Sequence, residues 1–390
     1  MEKLTSNDPI LEQIIEDCRL VSRERNSESH SAGLKTKRVN RRRFIARTAK
    51  GVIGSGLALG ALVQRNEPSY AQEGQLPLDE STLQDLTPVV EVIDETVWDG
   101  DSLNGQIVGE MLSRAMIKLT GLDSVKEAWR EFVLPHDVIG IKVNPIGGKS
   151  LCTNQILVNT IVDQLYQAGV LNNQVIVWDR FEAHLVNAGY KINQSTQGVR
   201  CLASDSTGVG YDDEIFYETE KDVEVRRENG STASRYTKIL TDKVSAIINV
   251  PVIKHHAITG ISGCLKNLAF GSVDNTSRFH SNPLNCDPAI GEIFAHPVIQ
   301  DKVVLNIADG LLAAFNGGPV YDPNGVWKYG GLLVSPDPVA VDQIALETIN
   351  EKRQEEGLEP AQSTKYIRSS WRLGLGTNNL DEVDYQQVKL

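Results

Sequence analysis

No Cys-x-x-Cys pair occurs in this chain. Iron–sulfur clusters and zinc knuckles need clustered thiolates, so neither is expected. Of the five cysteines, Cys18 falls in the N-terminal leader, and Cys152, Cys201, Cys264 and Cys286 are scattered. The spacing of Cys264 and Cys286 permits a disulfide in an oxidising compartment; buried free thiols are the stronger reading. A membrane-spanning run is also lacking. The apolar stretch at residues 51–63 is thirteen residues long, too short to cross a hydrocarbon core of ~30 Å as a stable anchor. The body of the chain has no basic excess. Lys and Arg number 13 against 8 Asp and Glu up to Ala71, but 26 against 43 beyond it. A surface that acidic is a poor match for phosphate backbones, which excludes nucleic acid as a partner. Two nucleophile or phosphate signatures are incomplete. Gly147-Gly148-Lys149-Ser150 lacks the full phosphate-loop spacing, and Ser262 sits in Gly-Ile-Ser-Gly rather than a nucleophile elbow. There is no internal repeat and no low-complexity tract.

What is present is an ordinary soluble composition. The 390 residues are 41% hydrophobic and 23% charged, enough for a substantial core. Asn40-Arg41-Arg42-Arg43-Phe44-Ile45 is a twin-arginine pattern, followed by the apolar stretch and by Ser69-Tyr70-Ala71. Basic, then apolar, then small is the order of a removable export signal. The expectation is therefore a leader over residues 1–71, read by the twin-arginine export machinery through Arg41 and Arg42. A linker at 72–88 and a single domain at 89–390 follow, and the mature protein is periplasmic or otherwise exported, with no stable membrane anchor after processing. That route carries folded proteins, often with a cofactor already inserted.

The body reads as an α/β fold: a mostly parallel sheet with flanking helices and an irregular insertion. Strands are expected at 89–93, 138–143, 175–178, 244–253, 302–307 and 332–334, and helices at 104–119, 123–132, 155–168, 290–299 and 339–349. The strand at 138–143 is continuously apolar apart from Lys142, the mark of a strand buried on both faces. Thr153 or Asn154 offers a cap for the helix behind it. Residues 187–235 are polar and irregular, with a hairpin expected around 214–227.

Four expected strands end in polar tips: Lys142-Val143-Asn144, Asp179-Arg180, Lys254-His255-His256 and Asp309-Gly310. In open parallel sheets ligands bind beyond the carboxyl ends of the strands, so these tips form one candidate cleft. Lys142, Asn144, Lys266 and Asn267 are the candidates for holding a small anionic molecule. Lys254 and His255 or His256 are the candidates for proton transfer. His256, His280 and Asp309 are the candidate ligands of a divalent metal, and the cofactor is otherwise open. Strand alternation puts Lys254 on the face of His256, not of His255. Asp337 and Asp342 read as caps or packing groups. Three functions are compatible with this set: an exported enzyme acting on a small anion, with or without a metal; a non-catalytic metal- or solute-binding protein; and a scaffold partner of an exported redox complex.

The order of motifs resembles one family. Residues 139–148 (IGIKVNPIGG), 249–271 (NVPVIKHHAITGISGCLKNLAFG), 307–310 (IADG), 335–342 (SPDPVAVD) and 374–376 (GLG) are similar to domain of unknown function 362. The resemblance implies an α/β fold over most of the mature chain. Some members carry a ferredoxin-like cluster module; the cysteines it needs are missing here. A distant likeness of the family to lactate racemase proteins implies histidine-mediated proton or hydride chemistry on a small hydroxy acid.

Overall fold

The computed structural model of the protein describes residues 86–219, 233–280, 285–362 and 364–390. The leader, the expected linker apart from its last three residues, and the tip of the expected hairpin lie outside them.

Strand β1 (Thr87–Ile93) is followed by a small ribbon, β2 (Trp98–Asp99) and β3 (Ser102–Leu103), and by helices α1 (Gly105–Thr120) and α2 (Val125–Arg130). Next come β4 (Ile139–Val143), α3 (Gln155–Ala168), β5 (Val175–Asp179), α4 (Glu182–Asn187) and β6 (Arg200–Ala203). A two-stranded unit, β7 (Tyr211–Tyr217) and β8 (Ser234–Thr237), precedes β9 (Ala246–Val250), β10 (Val252–His256), β11 (Gly260–Ile261) and α5 (Cys264–Ser272). The chain ends with α6 (Ala289–Phe294), α7 (Pro297–Gln300), β12 (Val303–Ala314), β13 (Val326–Trp327), β14 (Gly331–Ser335), α8 (Pro338–Glu355), α9 (Lys365–Arg372) and β15 (Val383–Lys389).

The main sheet has the order β15-β1-β14-β12-β9-β4-β5-β6, with β10, β11 and β13 attached off this path. Of its neighbours, β12, β9, β4, β5 and β6 pair in parallel, while β14 runs against both β12 and β1. The expected mostly parallel α/β architecture is what forms. From β4 the chain winds outward to β5 and β6, then returns to the other side of β4 as β9 and β12. The sheet therefore reverses its winding between β4 and β9. In such sheets this switch point opens a crevice beyond the strand ends.

The continuous apolar character of the central strands is explained by two cores. One packs Ile139, Ile141, Val143, Ile248 and Val250 against α1 and α3. The other packs Ile176, Trp178 and Ile247 against α5, α6, α8 and α9. Each face buries its own set because alternate strand residues point to opposite sides. Helix α1 is capped by Asn104 and stopped by Gly121, whose φ of 69° suits a residue without Cβ. Asn154 caps α3 through the N–H of Ile156. No helix among the described residues is long and apolar enough to cross a membrane.

Four sequence expectations are corrected here. Part of the irregular region is built into the main sheet, because Arg200–Ala203 pairs in parallel with β5 as β6. The hairpin pairs Tyr211–Tyr217 with Ser234–Thr237, not residues within 214–227. The strand expected at 244–253 is two strands, since Pro251 has no N–H to continue the ladder. Strand β12 does not stop before Asp309. It runs on to Ala314, pairing with β9 in its first half and with β10 and β13 further along. The chain's last strand, β15, had no expectation at all.

Candidate functional site

Register places one polar row across the sheet. Lys142 lies opposite Asn249, Asn249 opposite Asn306, and Asn306 opposite Ser335. The neighbours of Lys142, Asn249 and Asn306 in sequence pack into the α1–α3 core, so the row itself points to the α5 side. Its hydrogen bonds run in one direction. Asn306 Nδ2 donates to the carbonyls of Ser335 (3.3 Å) and Pro336 (3.2 Å), which leaves its Oδ1 to accept from Asn249 Nδ2 at 2.9 Å. Asn249 Nδ2 also donates to the Cys264 carbonyl at 2.9 Å, so Asn249 Oδ1 must accept, and it does so from Asn267 Nδ2 at 2.8 Å. Asn267 Oδ1 then faces Asn144 Nδ2 (3.1 Å) and Lys142 Nζ (3.3 Å). The last amide, Asn144, is left with its oxygen toward Lys254, whose Nζ donates to it at 2.9 Å. Backbone carbonyls at one end thus fix the orientation of every amide up to the lysine.

Lys142 and Lys254 are each 1% exposed. Lys142 is neutralised by Asp179 at the tip of β5, with Nζ–Oδ1 at 2.5 Å, and also donates to the Val143 carbonyl at 2.7 Å. Burial still lowers its pKa, against the raising effect of Asp179. Gly271 of α5 makes room for it: a Cβ there would lie 2.1 Å from Lys142 Cε. Among the described residues, no carboxylate bonds Lys254 in this way. Burial, with the nearby Lys266 ammonium adding to it, lowers its pKa from 10.5 to about 7. Burial also lowers the pKa of Lys266. Lys266 lies 5.2 Å from the centre of the Phe270 ring, and no described residue gives it a hydrogen bond or an ion pair. Two neighbouring cations therefore share this end of the sheet without a carboxylate bonded to either.

Helix α5 carries Lys266 and Asn267, and its start is held by a residue distant in sequence. Asp342 of α8 accepts from the backbone N–H groups of Cys264 and Leu265 (3.2 Å for Leu265) and from the Tyr366 hydroxyl at 3.2 Å. The sequence marks Asp342 as a cap; it caps α5, not its own helix. Gly263 permits this approach, since a Cβ would sit 2.0 Å from Asp342 Oδ1. Asp337 caps α8 itself through Val339 and Ala340.

The histidines alternate between the two faces as the sequence predicts. His256 is buried and His255 half-buried, as strand alternation requires. His256 Nδ1 accepts from the N–H groups of Ile258 and Thr259, both at 3.2 Å, so the neutral ring carries its hydrogen on Nε2. Burial, then Lys266 and further cationic neighbours, push its pKa down to about 2. A ring held neutral in this way has its Nε2–H free to donate a hydrogen bond. His255 is lowered to about 4 by burial and by Arg353. The His280 ring centre is 6.3 Å from that of His256, and its Nδ1 lies 2.9 Å from the Thr276 carbonyl.

Asp309 does not join this cluster. It shares its strand face with Ile307 and Leu311, which pack toward α1 and α3, and it accepts from the backbone N–H groups of Asn154 (2.7 Å) and Leu311 (3.0 Å). The expected trio His256, His280 and Asp309 is not assembled: Asp309 is held by backbone N–H groups at Asn154 and Leu311, while His256 is held by those of the turn behind β10. Among the described residues, no three His, Cys, Asp or Glu side chains form a group that could hold a metal ion. Cys152, Cys201, Cys264 and Cys286 are all free. The residues that sequence reasoning missed are Asn249 and Asn306. Both are amides inside otherwise apolar strands, and that misfit was the available signal.

The fold and the polar row define an α/β protein with its polar centre at the switch point of a mostly parallel sheet. The chain belongs to the family described as Domain of unknown function (DUF362), whose model matches residues 139–347. That span begins with β4 and ends inside α8, so it holds Lys142, Asn144, Asp179, Lys254, Lys266, Asn267 and Asp309. No curated protein matches the chain. Among solved structures, it is similar to a Thermotoga maritima protein determined by crystallography as a structural genomics target. The identity is 13% and the TM-score 0.40, over 66% of this chain and 60% of that one. The chain thus spans about 60% of the length of that structure.

Proposed function

We propose that the protein binds a small anionic molecule at the carboxyl end of β4, β9 and β10, where Lys254 and Lys266 hold it and Asn144 and Asn267 orient it. The observation that carries this reading is the pair of ammonium groups at Lys254 and Lys266, with no carboxylate among the described residues bonded to either. Buried charge is costly unless it is paired, and an anion shared by both lysines would relieve the penalty on each. A carboxylate and a phosphate share this chemistry. Lys254, with its pKa near 7, is the group of this cluster best matched to moving a proton at neutral pH, so the catalytic form of the proposal makes it the acid/base. The non-catalytic form keeps the same site and binds without conversion.

Binding is tested by calorimetry with inorganic phosphate and with a panel of small hydroxy acids. Lys266→Met is expected to weaken the best ligand by at least tenfold, the effect of losing a charge-assisted contact worth about 1.5–3 kcal/mol. Equal affinity in wild type and variant sinks the proposal. Conversion of the bound compound by the wild type, lost in Lys254→Met even at ligand concentrations that saturate the variant, decides for the enzyme over the carrier.

We propose in addition that the protein is exported through the twin-arginine route; the support is the pattern at Arg41 and Arg42, which lies outside the described residues. Replacing both by Lys is expected to trap the protein in the cytoplasm of a bacterium with that route. Normal export of the double variant, read by cell fractionation, would remove this assignment.

A further inference from the structure

A cavity of about 420 Å³ lies on the α3 side of the sheet, lined by Trp98, Lys149, Cys152, Asn154, Gln155 and Asp309 among others. Its volume is that of a site for a small organic molecule. Lys254, Lys266 and the strand-tip histidines are not part of its lining. Asp309 is the one buried charge on the wall, 2% exposed. Each of its oxygens accepts one backbone N–H, from Asn154 and from Leu311, and no cation among the described residues bonds it. Burial pushes its pKa up to about 6, opposed by those two N–H groups, so at pH 8 it is ionised.

We propose that this cavity binds a small molecule through an ammonium group, with the Asp309 carboxylate as the anchor and the Trp98 indole as an apolar wall. A buried carboxylate supported only by neutral donors gains most from a cation, and the low-polarity surroundings strengthen that attraction. An inorganic anion does not suit the position, because Asp309 already occupies the start of α3, where helix N–H groups would otherwise receive one. A metal ion does not suit it either, for want of further ligands among the described residues. Lys149 at the wall is exposed and solvated, so its field is screened. It could meet an acidic end of the ligand, and amino acids therefore fall within the class. The lysine site has its own test; Lys254 also acts on Cys152, and the comparison with Asp309→Asn separates the two because Lys254 is present in both proteins.

Cys152 supplies a probe. It is the partly exposed thiol of the four described ones and lines the cavity. The full chain is treated at pH 8 with two methanethiosulfonates of similar size, one ending in an ammonium and one in a sulfonate. In each case the Cys152 thiolate displaces methanesulfinate and forms a mixed disulfide. The rate at Cys152 is read by peptide mass spectrometry and divided by the rate with a free small thiol. The cationic reagent is expected to be favoured roughly tenfold, the size of effect a focused local field produces. The preference is expected to fall to about one in Asp309→Asn, and putrescine is expected to slow modification of the wild type several-fold. Equal rates for the two reagents, a preference that survives in a folded Asp309→Asn, or no protection by putrescine would each overturn the proposal. If Asp309→Asn fails to fold, the reagent ratio and the putrescine protection in the wild type decide it alone.

Discussion

Lys254→Met is expected to stabilise the protein at pH 6 and to lose that advantage as the pH rises to 10. Lys254 has a folded pKa of about 7 against an ordinary 10.5. A base whose pKa is depressed by folding holds fewer protons in the folded state between those two values, so stability rises with pH across that window. Below pH 7 the full penalty of a buried ammonium is present. A shift of this size corresponds to about 5 kcal/mol, from which about 1–3 kcal/mol is offset because Asn144 Oδ1 loses its donor in the variant. The net gain at pH 6 is about 2–4 kcal/mol. Urea unfolding of both proteins at pH 6, 8 and 10 reads it, and the difference between the two removes the contributions of groups distant from Lys254. A difference that is the same at all three pH values would mean that Lys254 is not held in a desolvated, unpaired state. A site that destabilises its own protein at neutral pH is expected where a ligand supplies the missing charge.

Asp179→Ala has the opposite sign. Lys142 and Asp179 make a buried pair at 2.5 Å, with side chains 1% and 9% exposed. Removing the carboxylate strands an ammonium beneath α5, where Gly271 leaves room for the lysine stem and little else. Breaking such a pair costs about 3–5 kcal/mol. The double variant Lys142→Met, Asp179→Ala is expected to recover most of the loss, because no charge is then left without a partner. If the double variant is as unstable as the single one, the loss comes from packing at the β5 tip and not from the stranded charge. Lys142 and Lys254 thus divide the work: both are buried lysines at strand ends, but one has its counter-ion built in and the other does not.

The sequence carried most of this arrangement at the level of strands and little of it at the level of register. Lys142, Asp179 and Lys254 could be grouped because each follows an apolar run, and parallel strands deliver their carboxyl ends to one edge. Asn267 could be added because it follows closely on the Lys254 strand, beside Lys266. Asp309 failed by the same reasoning. It looked like a strand tip because Ala308-Asp309-Gly310 interrupts the apolar pattern. The strand continues through that interruption to Ala314, since β10 and β13 offer further backbone partners, and Asp309 points with Ile307 and Leu311 to the α3 side. Nothing local in the sequence encodes those partners. The asparagine row was illegible for a related reason. Asn249 and Asn306 are 57 positions apart, and only the parallel register of β9 with β12 makes them neighbours. His256 drew attention as a histidine at a strand end, but its role is set by two backbone N–H groups of the turn that follows it.

The central claim is that Lys254 and Lys266 form an anion site left unneutralised by the protein itself. Its most direct test is the titration of the Lys254 ammonium by NMR, with lysine labelled at the ζ-nitrogen and Lys254→Met used for assignment. The titration is run without added anion and again with saturating phosphate or the best hydroxy acid. The account predicts a midpoint near pH 7 in the free protein, moving upward by at least one unit when the anion is bound. A midpoint near 10.5 that does not respond to any anion would contradict it.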